Sequence, residues 1–275
     1  MNFPINNKEV LSLETNTKEY ENILLETNGA IAYVTMNRGN KRNALSQHHM
    51  EELTDCFTAI GKNKHISVVV LRGSGPAFCA GHDLKEMQNE SPQFYQNLFD
   101  TCIKMMETIQ SIPQPVIAEV HGIATAAGCQ LVATCDLAVA ADDSKFATPG
   151  VKIGLFCSTP MVALSRAVGR KKAMEMLLTG ETLSAEEAVQ AGLINKAVPY
   201  EQLQHETNVL AQKIAEASTY TIGVGKQAFY QQIEMPQNHA YAYTKQVMSM
   251  NASSNDATEG MCAFLEKRKP EWKGC

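Results

Sequence analysis

Several motifs that define common classes of enzyme are missing from this sequence. It contains no C-x-x-C pair, no H-E-x-x-H motif and no G-x-S-x-G motif, so it lacks the ligand spacing of common zinc sites and the nucleophile turn of serine hydrolases. The uncharged run from His121 to Cys135 is too short to span a bilayer. The 24 basic residues are outnumbered by 29 acidic ones, which disfavours general binding to nucleic acid or anionic lipid. We therefore expect no metal site, no membrane anchor and no nucleic-acid partner.

Targeting patterns are also missing near the N-terminus. Residues 1–22 have neither the apolar core of a secretory signal nor the Arg-rich character of a transit peptide. Several of the eight cysteines lie in apolar stretches, where a reduced cysteine behaves as a small hydrophobic residue, and a chain of 275 residues needs no disulfide scaffold. These features predict a soluble, cytoplasmic protein with reduced thiols.

The residues that are present predict a folded α/β protein, since 44% are hydrophobic and 19% are charged. Asn28-Gly29 predicts a hairpin between two apolar runs, and Ser46 is suited to begin a helix. Buried strands are predicted at 67–73, 115–120 and 137–141. Because strand, loop and helix alternate as far as about residue 195, we predict an α/β layered architecture.

The last part of the chain has helical spacing and little strand signal. We divide the sequence into a loose lead-in at 1–19, a core at 20–200 and a helical region at 201–275. Within the helical region, GVGKQA at 223–228 fits the G-x-G-x-x-A pattern of dinucleotide-binding turns. No strand precedes it, and Lys245 lies near the expected acidic position, so we predict a helix start with glycines for close packing instead.

Two segments rich in glycine and alanine follow predicted strands, GPAFCAGHDLKEM at 75–87 and HGIATAAGCQLVATCD at 121–136. Small residues let a ligand approach the backbone, and a helix start presents free N–H groups. Two such loops could direct two N–H donors at one oxygen, which is the geometry of an oxyanion hole. Composition alone favours the simpler interpretation that these residues allow close helix–strand packing.

Several segments, matching in order from about residue 20 to the C-terminus, resemble the enoyl-CoA hydratase/isomerase, or crotonase, family. They are NRGNKRNAL (37–45), FCAGHDLKEM (78–87), PVIAEVHGIATAAGCQL (115–131), CDLAVA (135–140) and EGMCAFLEKRKPEW (259–272). The resemblance implies the crotonase (ClpP-like) spiral of ββα turns, with C-terminal helices that join subunits into a trimer or a dimer of trimers. It also implies an acyl-CoA or enoyl-CoA thioester as substrate. No separate cofactor is expected, because coenzyme A is part of that substrate.

The resemblance assigns roles residue by residue. The backbone N–H groups of His82 and Ala127 would form the oxyanion hole around the thioester carbonyl. The positions that would contact coenzyme A are Lys41, Arg42, Ala44, Ala80, His82, Asp83, Leu84, Lys85, Phe264 and Lys267. Basic side chains among these suit the phosphate charges of coenzyme A, although a solvated surface charge is an equally good interpretation of any one lysine.

The pattern departs from a hydratase at the two positions that matter most for proton transfer. The resemblance implies that hydratases of this family use two glutamate carboxylates for proton transfer. The corresponding residues here are Gln130 and Gly150. Neither residue exchanges a proton near neutral pH. TPGVKIGLFCSTP at 148–160 resembles a subgroup of enoyl-CoA hydratase domain-containing proteins that lacks both glutamates. We therefore predict poor activity as an ordinary hydratase of the lyase/isomerase kind, with a non-catalytic acyl-CoA-binding or regulatory protein as the alternative.

Other side chains near the inferred pocket could replace the glutamates. The candidates are His82, Asp83, Glu119, Cys157 and Ser158. His82 has a suitable ordinary pKa, but its side chain could equally point away from the pocket. Cys157 could attack a thioester, whereas a buried apolar cysteine is the commoner outcome. Asp83 and Asp136 have the character of turn and helix-start residues that hold the loops.

Overall fold

A computed structural model of the protein describes residues 19–275, so nearly all of the predicted lead-in at 1–19 lies outside the described residues. The strands are β1 (Ile23–Asn28), β2 (Ile31–Met36), β3 (Val68–Gly73), β4 (Val116–Val120), β5 (Ile123–Thr125), β6 (Leu137–Ala141), β7 (Lys145–Ala147), β8 (Leu183–Ser184) and β9 (Lys196–Val198). The helices are α1 (Gln47–Lys62), α2 (Pro92–Ser111), α3 (Ala127–Thr134), α4 (Pro160–Ala167), α5 (Arg170–Thr179), α6 (Ala185–Ala191), α7 (Tyr200–Ala215), α8 (Thr219–Gln232), α9 (Gln237–Ala252) and α10 (Asn255–Glu266). Two short 3₁₀ turns lie at Gly39–Lys41 and Pro149–Ile153. Within residues 19–275, no helix is both long and apolar enough to cross a membrane.

The strands form two sheets, as expected for an α/β protein. The main sheet has the order β1-β2-β3-β4-β6-β9, in which β1 and β2 form the hairpin predicted at Asn28-Gly29 and the other neighbours are parallel. The smaller sheet has the order β5-β7-β8. Ser46 begins α1 as predicted, because its hydroxyl accepts a hydrogen bond from the backbone N–H of His49.

Successive turns of the chain each contribute a strand to the main sheet and a shorter extended segment beside it. β4 is followed by β5, and β6 by β7. The same pattern continues in isolated bridges that pair Leu45 with His82 and Cys79 with Ala124. The short segments therefore lie side by side, which brings together loops that are far apart in sequence.

The chain from Tyr200 onward is helical, and its first helix belongs to the core. α7 covers the outer face of the main sheet, where Leu203 and Ala211 are buried with Val139 and Ile117. The GVGKQA segment lies inside α8 and does not begin it, which corrects the prediction of a helix start. Close packing does explain Gly223, because a Cβ there would lie 2.9 Å from Cβ of Pro113.

A buried ion pair attaches α8 to the main sheet. The ammonium of Lys226 lies 2.8 Å from Oδ2 of Asp136 and donates to two nearby backbone carbonyl oxygens. Asp136 also accepts hydrogen bonds from the backbone N–H of Val116 and the hydroxyl of Tyr230. Asp136 therefore joins α8 to β4 and does not merely cap the helix or turn beside it, as its sequence position had suggested.

A buried histidine makes the stability of the fold depend on pH. The side chain of His49 is fully buried, its Nε2 has no partner among the described residues, and burial lowers its pKa to about 4. In the unfolded chain, His49 binds a proton below about pH 6.5. In the folded chain, it binds one only below about pH 4. The free energy of unfolding therefore falls as the pH drops through this range.

We expect His49→Gln to lose less stability than the wild type between pH 7 and pH 5. Linkage predicts a difference of about 2 kcal/mol, measured by urea denaturation at the two pH values. His65→Gln is the matched control because His65 is exposed, and it should keep the wild-type slope. Equal slopes for His49→Gln and the wild type would mean that His49 binds its proton as readily in the folded chain as in the unfolded one.

Candidate active site

Backbone hydrogen bonds join the loops that the spiral brings together. The N–H of Ala80 donates to the carbonyl of Arg42 at 3.0 Å, and the N–H of Thr125 donates to the carbonyl of Cys79 at 2.9 Å. The N–H of Ala126 donates to the carbonyl of Ala147 at 2.9 Å. These bonds hold four segments side by side without relying on any side chain.

These loops border an apolar cavity of about 570 Å³, a volume typical of a small-molecule site. Its lining residues are Ala80, His82, Leu84, Met87, Phe99, Ala126, Ala127, Pro149, Gly150, Lys152, Ile153, Leu155, Phe156, Cys157, Ser158, Thr159 and Pro160. Seven of the predicted positions therefore line one cavity: Ala80, His82, Leu84, Ala127, Gly150, Cys157 and Ser158. Sequence reasoning missed most of the apolar wall, because Met87, Phe99 and Phe156 are indistinguishable from core residues by type alone.

Two backbone N–H groups at this cavity have no acceptor among residues 19–275. The N–H of His82 donates to no carbonyl or side chain, whereas the next residue, Asp83, donates to Leu45. Ala127 is the first residue of α3, where an N–H has no partner within its own helix. The preceding Ala126 has a φ of 51°, which is costly for a residue other than glycine and orients the start of α3.

The glycines of these loops allow their close approach. A Cβ on Gly128 would lie 2.2 Å from the carbonyl oxygen of Cys79, and a Cβ on Gly81 would lie 3.4 Å from the N atom of Ala127. Close packing is therefore the right interpretation of Gly128. The same packing brings the His82 and Ala127 segments together, so the packing and ligand-binding interpretations of these small residues are compatible.

Gln130 and Gly150, the positions that the family resemblance matches to the glutamates of hydratases, differ in their surroundings. Gln130 is buried in α3 and does not line the cavity, and its Oε1 has no partner among the described residues. Gly150 lines the cavity, but a Cβ there would lie 2.1 Å from the carbonyl oxygen of Leu155 and 2.8 Å from Sγ of Cys157. The N–H of Leu155 donates to the carbonyl of Gly150 at 2.9 Å, which closes this loop. Backbone atoms therefore occupy the space that a side chain at position 150 would need.

The lining side chains are poor proton carriers near neutral pH. The ring of His82 packs edge-on against Phe99 with centroids 5.6 Å apart, and its Nε2 is buried without a partner among the described residues. Burial lowers the pKa of His82 to about 4, so the ring is neutral at pH 7. Burial also raises the pKa of the Cys157 thiol, which keeps it protonated and weakly nucleophilic.

Glu119 does not belong to this site, which corrects its inclusion among the candidates. It lies on β4 between Ala118 and Val120, whose side chains face the core, and so it faces α7 on the opposite side of the main sheet. Its register neighbours are Arg72 and Val139. Burial raises the pKa of its carboxyl group, so Glu119 is a buried polar residue between sheet and helix.

Eight of the ten predicted coenzyme A positions lie on two connected loops, at 41–44 and 80–85. Asp83 accepts a hydrogen bond from the guanidinium of Arg38 at 3.0 Å, and the ammonium of Lys41 lies 3.9 Å from the same oxygen. Asp83 therefore holds the two loops together, consistent with its interpretation as a turn residue. Lys85 is exposed, and its backbone N–H donates to Asp83.

Asn43 organises this region and was missed by sequence reasoning. Its Nδ2 donates to the carbonyl oxygens of Ser74 and Ala77, both at 2.8 Å, and its Oδ1 accepts from the N–H of Arg38. Both Arg42 and Asn43 have a φ of 52°. An asparagine inside a segment of glycine and basic residues was the available signal, because asparagine tolerates this conformation better than most residues.

We expect Asn43→Ala to lower the free energy of unfolding by about 1–3 kcal/mol, because it leaves buried backbone groups without partners. Urea denaturation measures this loss. Asn43→Gly is the matched variant, since it loses the same hydrogen bonds but accepts the positive φ, and it should be less destabilised. Wild-type stability for Asn43→Ala would show that these bonds do not order the loop.

Two predicted residues lie away from the cavity of their own chain. Phe264 is 82% exposed on α10, and Lys267 ends that helix with a φ of 54°. Neither lines the cavity.

Comparison with known proteins agrees with this architecture. The family model for enoyl-CoA hydratase/isomerase matches residues 26–275. A human protein named enoyl-CoA hydratase domain-containing protein 3, mitochondrial, is 48% identical over 243 residues, covering 88% of this chain and 80% of that protein. Its Xenopus laevis counterpart, with the same name, is 46% identical over 250 residues, covering 90% and 85%.

Solved structures of similar proteins share the fold closely. An enoyl-CoA hydratase from Mycobacterium smegmatis superposes with a TM-score of 0.90 at 48% identity, covering 92% of this chain and 99% of that one. The human enoyl-CoA hydratase domain-containing protein 3 superposes with a TM-score of 0.89 at 46% identity, covering 92% and 100%. The predicted α/β crotonase spiral is therefore confirmed.

The relatives contradict the predicted location. The human and Xenopus proteins are both named mitochondrial, so the expectation of a cytoplasmic protein is wrong. That expectation depended on the composition of residues 1–22, most of which lie outside the described residues. The family model, the relatives and the shared fold agree over nearly the whole described chain, and they match the resemblance read from its motifs, including the subgroup. The chain belongs to the enoyl-CoA hydratase/isomerase family.

Proposed function

We propose that this protein binds acyl-CoA or enoyl-CoA thioesters and polarises their thioester carbonyl with the backbone N–H groups of His82 and Ala127. The observation that carries the proposal is that these two N–H groups, without acceptors among the described residues, belong to one apolar cavity. Donors held by the backbone cost little reorganisation as negative charge develops on the carbonyl oxygen. The acyl chain then occupies the apolar part of the cavity.

We expect this protein to hydrate the enoyl double bond slowly. Hydration requires a group that activates water and a group that delivers a proton, each of which contributes about 10²–10⁴-fold to the rate. Gln130 does not ionise, and Gly150 has no side chain. The neutral ring of His82 and the protonated thiol of Cys157 are poor substitutes for two carboxylates.

The proposal includes coenzyme A contacts and self-association, as in the family resemblance. Lys41, Arg42 and Lys85, on the loops connected by Asp83, are suited to the phosphates of coenzyme A. A trimer, or a dimer of trimers, would bring Phe264 and Lys267 of one copy to the cavity of another. The exposure of Phe264 and an apolar groove of about 470 Å³ between α8 and α9 support association. The names of the relatives support a mitochondrial location and a role in acyl-CoA, and hence fatty-acid, metabolism.

The test combines binding and turnover. Purified protein is titrated with 2-enoyl-, 3-enoyl- and 3-hydroxyacyl-CoA esters by calorimetry, and products are followed by mass spectrometry. We expect binding of the esters with slow or absent hydration. Binding with no turnover of any ester would favour the alternative, a non-catalytic acyl-CoA-binding or regulatory protein. Hydration at rates ordinary for hydratases, or no binding at all, would contradict the proposal.

A further inference from the structure

Helix α10 is bound along its length by the segment that follows it. Among its 12 residues only Asp256 and Ala263 are buried, so the helix has little apolar surface with which to pack against the rest of the fold. The chain reverses at Lys267, which ends α10 with a φ of 54°, and the N–H of Arg268 donates to the carbonyl of Ala263 at 3.0 Å. Residues 268–275, which we call the strap, then run back along α10 toward its start.

The strap contacts α10 through charged, aromatic and backbone groups. The guanidinium of Arg268 donates to both carboxylate oxygens of Glu259, at 2.5 and 2.9 Å, and the N–H of Glu271 donates to Glu259 at 2.8 Å. The ring of Trp272 lies against Gly260, where a Cβ would be 3.2 Å from Cη2 of the indole. The glycine therefore leaves the space that this ring occupies.

Asp256 fixes the far end of the strap. Its carboxylate accepts hydrogen bonds from the N–H groups of Lys273 and Gly274, at 2.7 and 3.0 Å, and from the hydroxyl of Ser218, at 2.6 Å. The N–H of Asp256 in turn donates to the backbone oxygen of Cys275 at 3.0 Å. Asp256 is 1% exposed and Ser218 begins α8, so this buried carboxylate joins the strap to the starts of α10 and α8.

The strap also attaches α10 to the main part of the fold. The indole N–H of Trp272 donates to the carbonyl of Glu216, the residue after α7, at 2.8 Å. Because α7 packs on the main sheet, these bonds connect α10 to the core. Phe264 lies in the last turn of α10 and Lys267 directly precedes the strap, so the strap determines where both residues lie.

We propose that the strap positions Phe264 and Lys267 for coenzyme A, with Trp272 and Asp256 as the residues that fix it. This inference depends on the proposed function, in which Phe264 and Lys267 reach the ligand. Side chains that are ordered before binding lose less conformational entropy when the ligand arrives, so a fixed α10 gives tighter binding than a loose one. The strap thus acts on affinity through α10 and does not itself touch the ligand.

The test is a double-mutant cycle that measures the affinity for hexanoyl-CoA. Calorimetry gives Kd for the wild type, Trp272→Ala, Phe264→Ala/Lys267→Gln and the combined variant. We expect Trp272→Ala to raise Kd about three- to tenfold in the wild type, typical of side chains that must be ordered on binding, and less than about twofold when Phe264 and Lys267 are already replaced. Trp272→Phe keeps an aromatic ring beside Gly260 and loses the bond to Glu216, so its Kd should lie between those of the wild type and Trp272→Ala.

Asp256→Ala tests the other end of the strap. The sequence contains a single tryptophan, so intrinsic fluorescence reports on Trp272 alone. We expect the emission of Asp256→Ala to shift to longer wavelength as the indole leaves Gly260 for water, together with the same rise in Kd as for Trp272→Ala. Tyr200→Ala is the matched control, because Tyr200 is an exposed aromatic residue outside the strap and the cavity, and it should keep the wild-type Kd.

The other outcomes separate this inference from the proposed function. An unchanged Kd in Trp272→Ala, or equal effects of this substitution in both backgrounds, would overturn the inference and leave acyl-CoA binding intact. Loss of the wild-type oligomeric state in Trp272→Ala, seen by size-exclusion chromatography, would also overturn it, because the strap would then hold subunits together. Failure of the wild type to bind hexanoyl-CoA, or wild-type affinity in Phe264→Ala/Lys267→Gln, would overturn the proposed contacts and this inference with them. Circular dichroism of each variant confirms that the comparison is made between folded proteins.

Discussion

Asp136→Asn is expected to lower the free energy of unfolding by about 3–5 kcal/mol. The substitution leaves the ammonium of Lys226 buried without its counter-charge. The free-energy cost of an unpaired buried charge is much larger than the net stabilisation that the intact pair provides. The side chain of Lys226 is only 5% exposed, and its ammonium lies 2.8 Å from Oδ2 of Asp136. Burial already lowers the pKa of Lys226, which shows how poorly this position solvates a charge.

Urea denaturation followed by circular dichroism measures the effect. Glu234→Gln is a matched control, because it removes one carboxylate charge from an ion pair with Arg166 in which both side chains are more than half exposed. Exposed pairs contribute little, so this variant should unfold at nearly the wild-type midpoint. If Asp136→Asn also unfolds near that midpoint, water reaches Lys226 and the pair does not attach α8 to the sheet.

Gly150→Glu is expected to fail as a restoration of hydratase chemistry. Its Cβ alone would lie 2.1 Å from the carbonyl oxygen of Leu155, so the loop closed by the Leu155–Gly150 hydrogen bond must move. Such overpacking against backbone costs about 1–3 kcal/mol or more. Because Leu155 and Cys157 also line the cavity, we expect binding of hexanoyl-CoA to weaken at least about tenfold, with no hydration of crotonyl-CoA.

Gln130→Glu is the natural comparison for Gly150→Glu. It introduces a carboxyl group of nearly the same shape at a buried position already occupied by a side chain. Burial favours the protonated form of this carboxyl group, which avoids an unpaired charge, so the fold and hexanoyl-CoA binding should be retained. Calorimetry and a crotonyl-CoA hydration assay applied to both variants make the comparison. Hydration by Gly150→Glu at a rate ordinary for hydratases would mean that the loop yields easily and that a missing carboxylate was the only defect.

In the proposed function, the site keeps the groups that bind the thioester carbonyl and lacks the side chains that transfer protons in a hydratase. A backbone donor contributes whatever its side chain is, so His82 and Ala127 are suited to this role without chemically special side chains. Proton transfer depends on side chains, and Gln130 and Gly150 do not supply it. We therefore propose that the site favours binding and polarisation of a thioester over hydration.

The sequence by itself determined the main strands, the first helix and the family. The β-branched run at 67–73 and the apolar run at 137–141 needed only local pattern to predict β3 and β6, and Ser46 needed only its own hydroxyl to begin α1. The residue types alone also showed that positions 130 and 150, Gln130 and Gly150, carry no carboxylate. Strands as short as β5 and β7 were missed, because three residues carry no detectable period.

The tertiary structure alone decided what surrounds each of these residues. Strand order and the approach of distant loops decide three features of the site. The carbonyl of Leu155 occupies the space beside Gly150, Glu119 faces α7, and Lys152 is the one lysine or arginine among the lining residues. The pattern of apolar residues in the sequence indicates which side chains are buried, because the hydrophobic effect depends on the apolar area and not on direction. It does not report which backbone atoms meet, since those contacts join residues far apart in the chain, and at this site they determine the chemistry.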